Sequence, residues 1–414
     1  MFVIAKISVT LAMVVWLLRK KVQIGHAMLA GSIVLFLISS PTLGKADAAI
    51  QTTLREVGTW EVVFAMYFVM CLEHLLRTTG IIEGFMAAMK PLLRSDRVLL
   101  AFMPTFLGLL PSLGGAIFSA PMVEQASKKF SLSPEKKGAI NYWFRHIWEY
   151  GNPIIPGVLL ASQITGIPLG TFVANMIGYT LLALLLGVVF ILTGKGFQSG
   201  PAVQNDSVKD LDCGKNQANY LKSRSPFHYF LLGVGPILVN IILVVAFDLS
   251  AALSMGIVVS GMVIILRFTR QQLVTMLREA FEKKILWGIL GILFFQHVLT
   301  VSGIVQELIA FFQGTNIPVV VMLGLGSLIV ALLTGSPQGA VAVIFPILSA
   351  FYPGNLETAT VAYIMAIAGA MLSPAHLCLI VTAEYFKADL FKILKPVLLL
   401  EVMILTFMAV VHLI

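Results

Sequence analysis

Cysteine and charged side chains are both scarce in this sequence. Its 414 residues include three cysteines, and only 12% are Asp, Glu, Lys or Arg. So few cysteines argue against a disulfide framework and a thiolate metal site, and so little charge argues against a set of soluble domains. Walker-type phosphate loops and the H-E-x-x-H and G-x-S-x-G motifs are also missing, which argues against an ATP-driven pump and a hydrolase. We therefore expect no catalytic residue, no resident metal and no organic cofactor.

Long apolar runs take the place of charge. Hydrophobic residues make up 58% of the chain, and runs of about twenty residues, enough to cross a bilayer core, recur from end to end. The sequence therefore predicts an all-α polytopic membrane protein of the cell (inner) membrane. The formal net charge is +8, but the basic residues form short clusters beside apolar runs, where they act as topology signals. The expected partner is the lipid bilayer, and no nucleic acid is expected.

The two halves of the chain carry similar segments in the same order. "CLEHLLRTTGIIEG" (71–84) resembles "FFQHVLTVSGIVQE" (294–307), and His74 matches His297 at an offset of 223. "LLPSLGGAIFSAP" (109–121) resembles "LLTGSPQGAVAVIFP" (332–346), and in both halves a tyrosine precedes a proline by eleven residues. These matches predict a two-fold repeat. Its boundaries are 1–195 for the first repeat, 196–226 for a polar cytoplasmic linker and 227–414 for the second repeat.

The distribution of basic residues orients these repeats. Residues 98–110 and 116–127 are too short to cross a bilayer, so we expect a hairpin that enters and leaves on one side. Because five spans are an odd number, the second repeat has the opposite orientation in the membrane. The prediction is therefore two inverted-topology repeats with about 10 transmembrane helices plus 2 re-entrant hairpins. Of the 28 lysines and arginines, only Lys45 and Arg55 fall in outside loops, and both termini are predicted outside. The expected spans of the first repeat lie near 3–18, 24–39, 58–79, 138–165 and 170–193.

Each repeat contains a proline that breaks a helix inside the membrane. Asn152-Pro153 and Ser373-Pro374 follow the pattern of a helix cap with proline at the first helical position. Simple proline kinks are the alternative. With the hairpins, the breaks would place four helix N-termini near mid-membrane, and their positive partial charges beside Arg145 predict an anionic substrate. The expected substrate-binding residues are Ser112, Gly114, Gly115, Ser119, Arg145, Asn152, Pro153, Thr334, Ser336, Gln338, Gly339, Ser373 and Pro374. Two of the expected helix N-termini follow Gly114-Gly115 and Gln338-Gly339, and the other two lie at Pro153 and Pro374. Capping of helix ends is the alternative role for the polar side chains in this set.

Titratable residues near the breaks are candidates for coupling. Arg145 and Glu149 are four residues apart, which predicts one helical face, and they form either a self-neutralising pair or part of the binding site. Glu149, Glu73 and His74 are the candidates for proton or cation coupling. Inter-helix packing explains Glu73 and His74 at least as well, and His146 is interpreted as a packed side chain.

Two repeats that each combine a Gly/Ser-rich hairpin with a Pro-broken helix resemble the ion transporter superfamily. Within it, "PSLGGAIFSAPMVE" and "YGNPIIPG" resemble an uncharacterised integral membrane family related to gluconate permeases. The resemblance implies a homodimer with an elevator-like mechanism. A mobile transport domain, about 98–165 and 317–385, would carry the site across the membrane, with the remainder as a fixed scaffold. The Ser-Asn-Thr signature of sodium/dicarboxylate symporters is replaced by "PSLGG" and "TGSPQG".

The leading hypothesis is a secondary active transporter of a small, carboxylate-type organic anion, coupled to Na⁺ or H⁺. A cation/proton antiporter of the same architecture is the alternative, with Glu73 and Glu149 as its titratable acids. A membrane-embedded hydrolase and a non-transport membrane protein are further alternatives. The sequence specifies neither the substrate nor the direction of coupling.

Overall fold

The computed structural model describes residues 2–39, 42–82, 84–85, 89, 93, 95–109, 115–193, 197, 226–313 and 318–412. In these ranges the chain forms helices joined by short turns, as the sequence predicts. The helices of the first half are α1 (Phe2–Arg19), α2 (Ile24–Ile38), α3 (Leu43–Arg55), α4 (Val57–Thr78), α5 (Asp96–Gly108), α6 (Gly115–Ser127), α7 (Pro134–His146), α8 (Pro156–Thr165) and α9 (Leu169–Leu186), which continues as a π-helical turn to Ile191. Those of the second half are α10 (Pro226–Val245), α11 (Ala251–Ile265), α12 (Arg270–Glu279), α13 (Lys283–Ser302), α14 (Ile304–Gln313), α15 (Val319–Thr334), α16 (Pro337–Phe351), α17 (Leu356–Met371), α18 (Leu377–Phe386) and α19 (Leu390–His412).

Long apolar helices confirm a multi-pass membrane protein. Among the described residues, five helices are long and apolar enough to cross a bilayer. They are Val57–Thr78, Leu169–Ile191, Phe227–Val245, Lys283–Ser302 and Leu390–His412. Six further apolar helices of the described residues are shorter, at 10–17 residues, and α1 has 18 residues. The expected ten spans and two re-entrant hairpins therefore stay predictions.

Two short amphipathic helices, α3 and α12, were not expected from the sequence, which was interpreted there as loops. On α3 only Ala49 and Thr53 are buried, and on α12 only Met276 is buried. Helices with so narrow an apolar stripe carry no long hydrophobic run, so a search for spans overlooks them. Hydroxyl caps start both: Thr42 accepts from Lys45 N, and Thr269 forms a capping box with Gln272.

The helices of the two halves pack in a reciprocal manner. In the first half, α5 packs against α6 and α7, and in the second half α15 packs against α16 and α17. Between the halves, α8 packs against α16, whereas α18 packs against α6 and α7. Each short helix that follows a proline break thus lies against the other half of the chain, so the two breaks meet inside the bundle.

Candidate functional site

Both proline breaks are tight turns of the same construction. The amide of Ile155 donates to Asn152 O at 3.1 Å, and the amide of His376 donates to Ser373 O at 3.2 Å. Proline follows the first residue of each turn, where its fixed φ suits a β-turn. The helices therefore resume only after these turns, at Pro156 and Leu377.

This geometry corrects the expected helix starts at Pro153 and Pro374. Asn152 and Ser373 close turns and do not cap the following helices, because their side chains accept from the amide two residues on. In the first break Pro156 takes the first helical position instead. The expected single span at 138–165 is likewise divided: α7 ends at His146, and Ile147–Glu149 form one 3₁₀ turn.

The polar side chain of each turn also forms a hydrogen bond to an earlier helix of the same half, α5 or α15, which we call the hairpin arm. Asn152 and Ser373 both donate to a main-chain carbonyl at the C-terminal end of that arm, which is α5 in the first half and α15 in the second. These carbonyls lie near the end of a helix, where the next turn provides no donor. The four bonds are Asn152 Nδ2 to Leu109 O at 2.9 Å, Ile154 N to Asn152 Oδ1 at 3.2 Å, Ser373 Oγ to Leu332 O at 2.6 Å, and Ala375 N to Ser373 Oγ at 3.1 Å.

Two buried tyrosines join the breaks to each other. Tyr142 on α7 donates to Met371 O at 3.1 Å, where α17 ends. Tyr363 on α17 donates to Glu149 O at 3.2 Å, in the 3₁₀ turn after α7. Each hydroxyl satisfies a carbonyl that a broken helix leaves without an amide partner. The two tyrosines are the pair that the sequence comparison aligned.

Arg145 and Glu149, for which a self-neutralising pair and a binding-site role were the two alternatives, lie beside these turns. Arg145 Nη1 donates to Leu107 O at 3.3 Å. Within the described residues, no ion pair joins Arg145 to Glu149. Because α7 ends at His146, the four-residue spacing does not place the two side chains on one helical face. Oε2 of Glu149 is buried and has no hydrogen-bond partner. The site therefore contains a buried arginine and a carboxylate oxygen with spare acceptor capacity.

The tip between α15 and α16 lies against the second break. Gly335 has φ +70°, and a Cβ at this position would lie 2.8 Å from Ala375 C, so both conformation and space require glycine. Ser336 caps α16 by accepting from Gly339 N at 3.4 Å, which starts the helix at Pro337 and not after Gln338-Gly339. Ser336 Oγ also donates to Gln338 Oε1 at 2.6 Å, and Thr334 Oγ1 donates to Val330 O at 2.8 Å.

The corresponding tip of the first half is described only in part. Ser112 and Gly114 lie outside the described residues. Gly115 is the first described residue of α6, and Ser119 is fully buried on this helix, which packs against α18. The predicted roles of these four residues stay predictions.

His74 and its counterpart His297 contact glutamates of the opposite half. His74 Nε2 lies 3.8 Å from Glu279 Oε2, and His297 Nε2 lies 2.9 Å from Glu56 Oε2. The two glutamates are themselves 223 residues apart, as the histidines are. Their geometry is that of contacts between the two halves. Glu73, by contrast, lies within electrostatic range of Arg145.

Three residues of interest, His376, Cys378 and Glu401, were missed in the sequence. His376 follows the second break and faces His146, with their Nε2 atoms 3.1 Å apart, and Cys378 completes the cluster. Glu401 on α19 is fully buried, and Tyr150 OH donates to its two oxygens at 3.2 Å each. A single acid within "PVLLLEVMILTFMAVV" was a usable signal for Glu401. No sequence pattern connects His146 with His376, because they are 230 residues apart.

Comparison with known proteins agrees with this architecture. Residues 4–208 and 210–414 match the sequence profile of a family described as "Protein of unknown function (DUF401)". The chain belongs to the DUF401 family. The relation to gluconate permeases stays a prediction. No curated protein matches this DUF401 chain.

A solved transporter shares the fold of this DUF401 protein. The YdaH transporter of Alcanivorax borkumensis, whose structure is described as having an unusual topology, superposes with a TM-score of 0.55. The match covers 85% of this chain and 83% of the other at 13% sequence identity. At that identity the likeness establishes a shared fold, and neither a function nor a substrate.

Proposed function

We propose that this protein is a secondary active transporter of a small, carboxylate-type organic anion, with Na⁺ or H⁺ as the coupling cation. The observation that carries the proposal is the pair of proline turns that meet inside the bundle. Non-helical backbone at membrane depth is tolerated only where protein buries it or where it lines a cavity. Paired broken helices at such a point are the usual construction of transporter binding sites.

The charge around the turns favours an anion. The N-termini of α8, α16 and α18 lie at or beside the turns, and each helix N-terminus carries roughly +0.5 of a charge. Arg145 adds a full positive charge in a largely buried position. A carboxylate could accept hydrogen bonds from the planar guanidinium and from main-chain amides together. Glu149 offsets part of this charge and is a candidate for cation coupling.

Equivalent contacts in the two halves support the inverted repeat on which the mechanism depends. The turn bonds of Asn152 and Ser373, the bonds of the two tyrosines and the two His–Glu contacts each recur at an offset of 221 or 223 residues. We further propose that 98–165 and 317–385 move as a transport domain in a homodimer, and that both termini lie outside the inner membrane. Apart from residues 197 and 226, the linker 196–226 lies outside the described residues.

A cation/proton antiporter is the second candidate, because two buried carboxyl groups favour it. Glu149 has an oxygen without a hydrogen-bond partner, and Glu401 has only Tyr150 as a hydrogen-bond partner within the described residues. An intramembrane carboxyl group is a functional candidate by default. Such an exchanger would move cations without an organic anion.

Ligand-dependent stability and uptake test both candidates. Purified protein would be heated with a panel of mono- and dicarboxylates, each with Na⁺ or with choline as the control cation, and the anions that raise Tm would be tested for uptake into proteoliposomes. A ligand at a hundred times its Kd stabilises by about 2.7 kcal/mol, a measurable shift. Uptake of an anion driven by a Na⁺ or H⁺ gradient supports the proposal. Cation–proton exchange without any anion response would support the antiporter instead.

A further inference from the structure

Three potential metal ligands lie close together where the two proline breaks meet. The ligand atoms of His146, His376 and Cys378 all lie within 4.8 Å of one another. His146 is 5% exposed and His376 is 8% exposed, so water does not solvate these rings well. The three residues come from the end of α7, from the second proline turn and from the start of α18.

Main-chain carbonyls determine how the two rings are oriented. Nδ1 of His146 lies 2.6 Å from Tyr142 O, and Nδ1 of His376 lies 3.1 Å from Ala370 O. A carbonyl oxygen only accepts, so each Nδ1 carries a proton, and in a neutral ring the lone pair is then on Nε2. The two Nε2 atoms face each other at 3.1 Å. Two lone pairs at this distance repel unless a cation lies between them.

The distances suit a transition-metal ion. Zn²⁺ binds histidine nitrogen at about 2.0–2.1 Å, so two such nitrogens on a tetrahedral ion lie roughly 3.3–3.4 Å apart. A carbonyl on the opposite ring nitrogen is the usual outer partner of a metal-bound histidine. A proton shared between the rings would also relieve the repulsion, but it would not require a thiol in the same cluster.

We propose that Nε2 of His146, Nε2 of His376 and Sγ of Cys378 bind a soft or borderline transition-metal ion of the Zn²⁺ or copper class. On binding, the Cys378 thiol loses its proton to solvent, since the thiolate is the ligand. The scarcity of cysteine argued against a thiolate site, and the proposal reverses that expectation because histidines provide the other two ligands. Three protein ligands leave one position of a tetrahedral ion open.

The open position gives the ion a role in anion binding, and this step rests on the proposed function. Arg145 and Glu149 both lie within electrostatic range of the cluster. A divalent ion, the Cys378 thiolate and these two side chains together carry a net positive charge. A carboxylate at the open position would neutralise it.

Metal content tests the site directly. The full chain, purified in detergent and stripped with a chelator, would be incubated with Zn²⁺, or with Cu⁺ under reducing conditions, desalted and analysed by elemental mass spectrometry. We expect about one tightly held ion per chain, and Co²⁺ loading should produce a thiolate-to-cobalt absorption band in the near ultraviolet. Cys378→Ser should lose that band, and His146→Gln and His376→Gln should lose stoichiometric metal. Cys71→Ser and His228→Gln are the matched controls and should keep both.

Two outcomes would overturn the metal site: wild-type protein that retains neither ion after loading, or variants of all three ligands that retain it as wild type does. The first needs no variant, so misfolding cannot obscure it. Uptake assays distinguish failure of the metal proposal from failure of the proposed transport function. Anion uptake by protein without bound metal would remove the ion's role in anion binding and leave the transporter. Bound metal with no anion uptake would leave the site and remove the transporter.

Discussion

At the scale of single residues, Arg145 places a charged side chain in a buried position of the bundle. A charged side chain at the centre of a membrane helix costs roughly 2.5–3.5 kcal/mol on insertion scales. Its bond to Leu107 O, one of its contacts, provides no negative charge. Glu149, the nearest acid in sequence, forms no ion pair with it. The proposed function adds a bound anion to the partners of Arg145.

The first prediction concerns this bound anion. Arg145→Gln should reduce anion uptake about thirtyfold or more, because removal of one partner from a buried charge pair costs about 2 kcal/mol or more. Arg145→Lys should retain part of the uptake, since lysine keeps the charge but cannot present the bidentate fork. Arg278→Gln, which removes an exposed arginine on α12, is the control. Initial uptake rates at matched protein levels measure the effect.

The double variant Arg145→Gln/Glu149→Gln distinguishes a substrate contact from a self-neutralising pair. If Arg145 contacts the anion, the double variant remains inactive because nothing replaces the lost charge. Normal uptake by the double variant would show that the two side chains only balance each other.

The second prediction concerns the buried contact between Tyr150 and Glu401. Glu401→Gln should keep the melting temperature near that of wild type, because the amide oxygen can still accept from the hydroxyl. Glu401→Leu should destabilise the protein by about 1–3 kcal/mol, the cost of a buried hydroxyl left without a partner. Adding Tyr150→Phe should recover most of that loss, whereas an additive double variant would show that the bond contributes nothing. Thermal unfolding in detergent measures both steps.

At the scale of elements, the two proline turns determine how the site is built. Their side chains connect each break to the end of a hairpin arm, so substitution should disturb position more than stability. The third prediction is that Asn152→Leu and Ser373→Leu each abolish uptake while the protein still inserts and keeps its oligomeric state. Each substitution removes two hydrogen bonds, which cost about 1 kcal/mol apiece, too little to unfold a large bundle.

Asn355→Leu is the matched control for the turns. Asn355 caps α17 through a bond from Thr358 N at 2.8 Å, and it is exposed at the end of α17 opposite to the second break. Its loss costs about the same as that of any helix cap, but it should leave uptake unchanged. If both turn variants transport as wild type does, the breaks are ordinary proline kinks and not part of the binding site.

The turns also show what the sequence could predict at this scale and what it could not. Asn152-Pro153 and Ser373-Pro374 located both breaks correctly, because proline cannot continue a helix without losing a bond. The restart positions were wrong by three residues, because a proline is also suited to the second position of a β-turn and tertiary contacts to α5 and α15 select that alternative. The His146–His376 contact was not predictable from local pattern, since long-range packing alone creates it.

At the scale of the whole molecule, the fourth prediction concerns orientation. Under the proposed topology, a cysteine at exposed position 357 faces the outside, whereas Cys213 in the linker faces the cytoplasm. In sealed right-side-out cells, an impermeant maleimide should label Glu357→Cys and not Cys213, as peptide mapping would show. Labelling of Cys213 under these conditions would mean that the charge distribution was interpreted with the wrong sign.

The fifth prediction tests motion between the proposed transport domain and scaffold. Asn175 on α9 donates to Thr360 on α17 at 2.6 Å, across the proposed boundary, whereas Glu56 and His297 meet at 2.9 Å within the proposed scaffold. A short thiol cross-link between cysteines at 175 and 360 should stop uptake, because an elevator must shear these helices past each other. The same cross-link between 56 and 297 should leave uptake unchanged.

Reduction of the 175–360 cross-link should restore uptake, which would show that the cross-link and not the substitutions stopped transport. The parent chain, treated with the same cross-linker, controls for the native cysteines. A fully cross-linked 175–360 variant that still transports would place α9 and α17 in one rigid unit. The site would then have to open to the two sides by local gating around the proline turns, and the boundary at 165 would be wrong even though the turns, Arg145 and the fold remained in place.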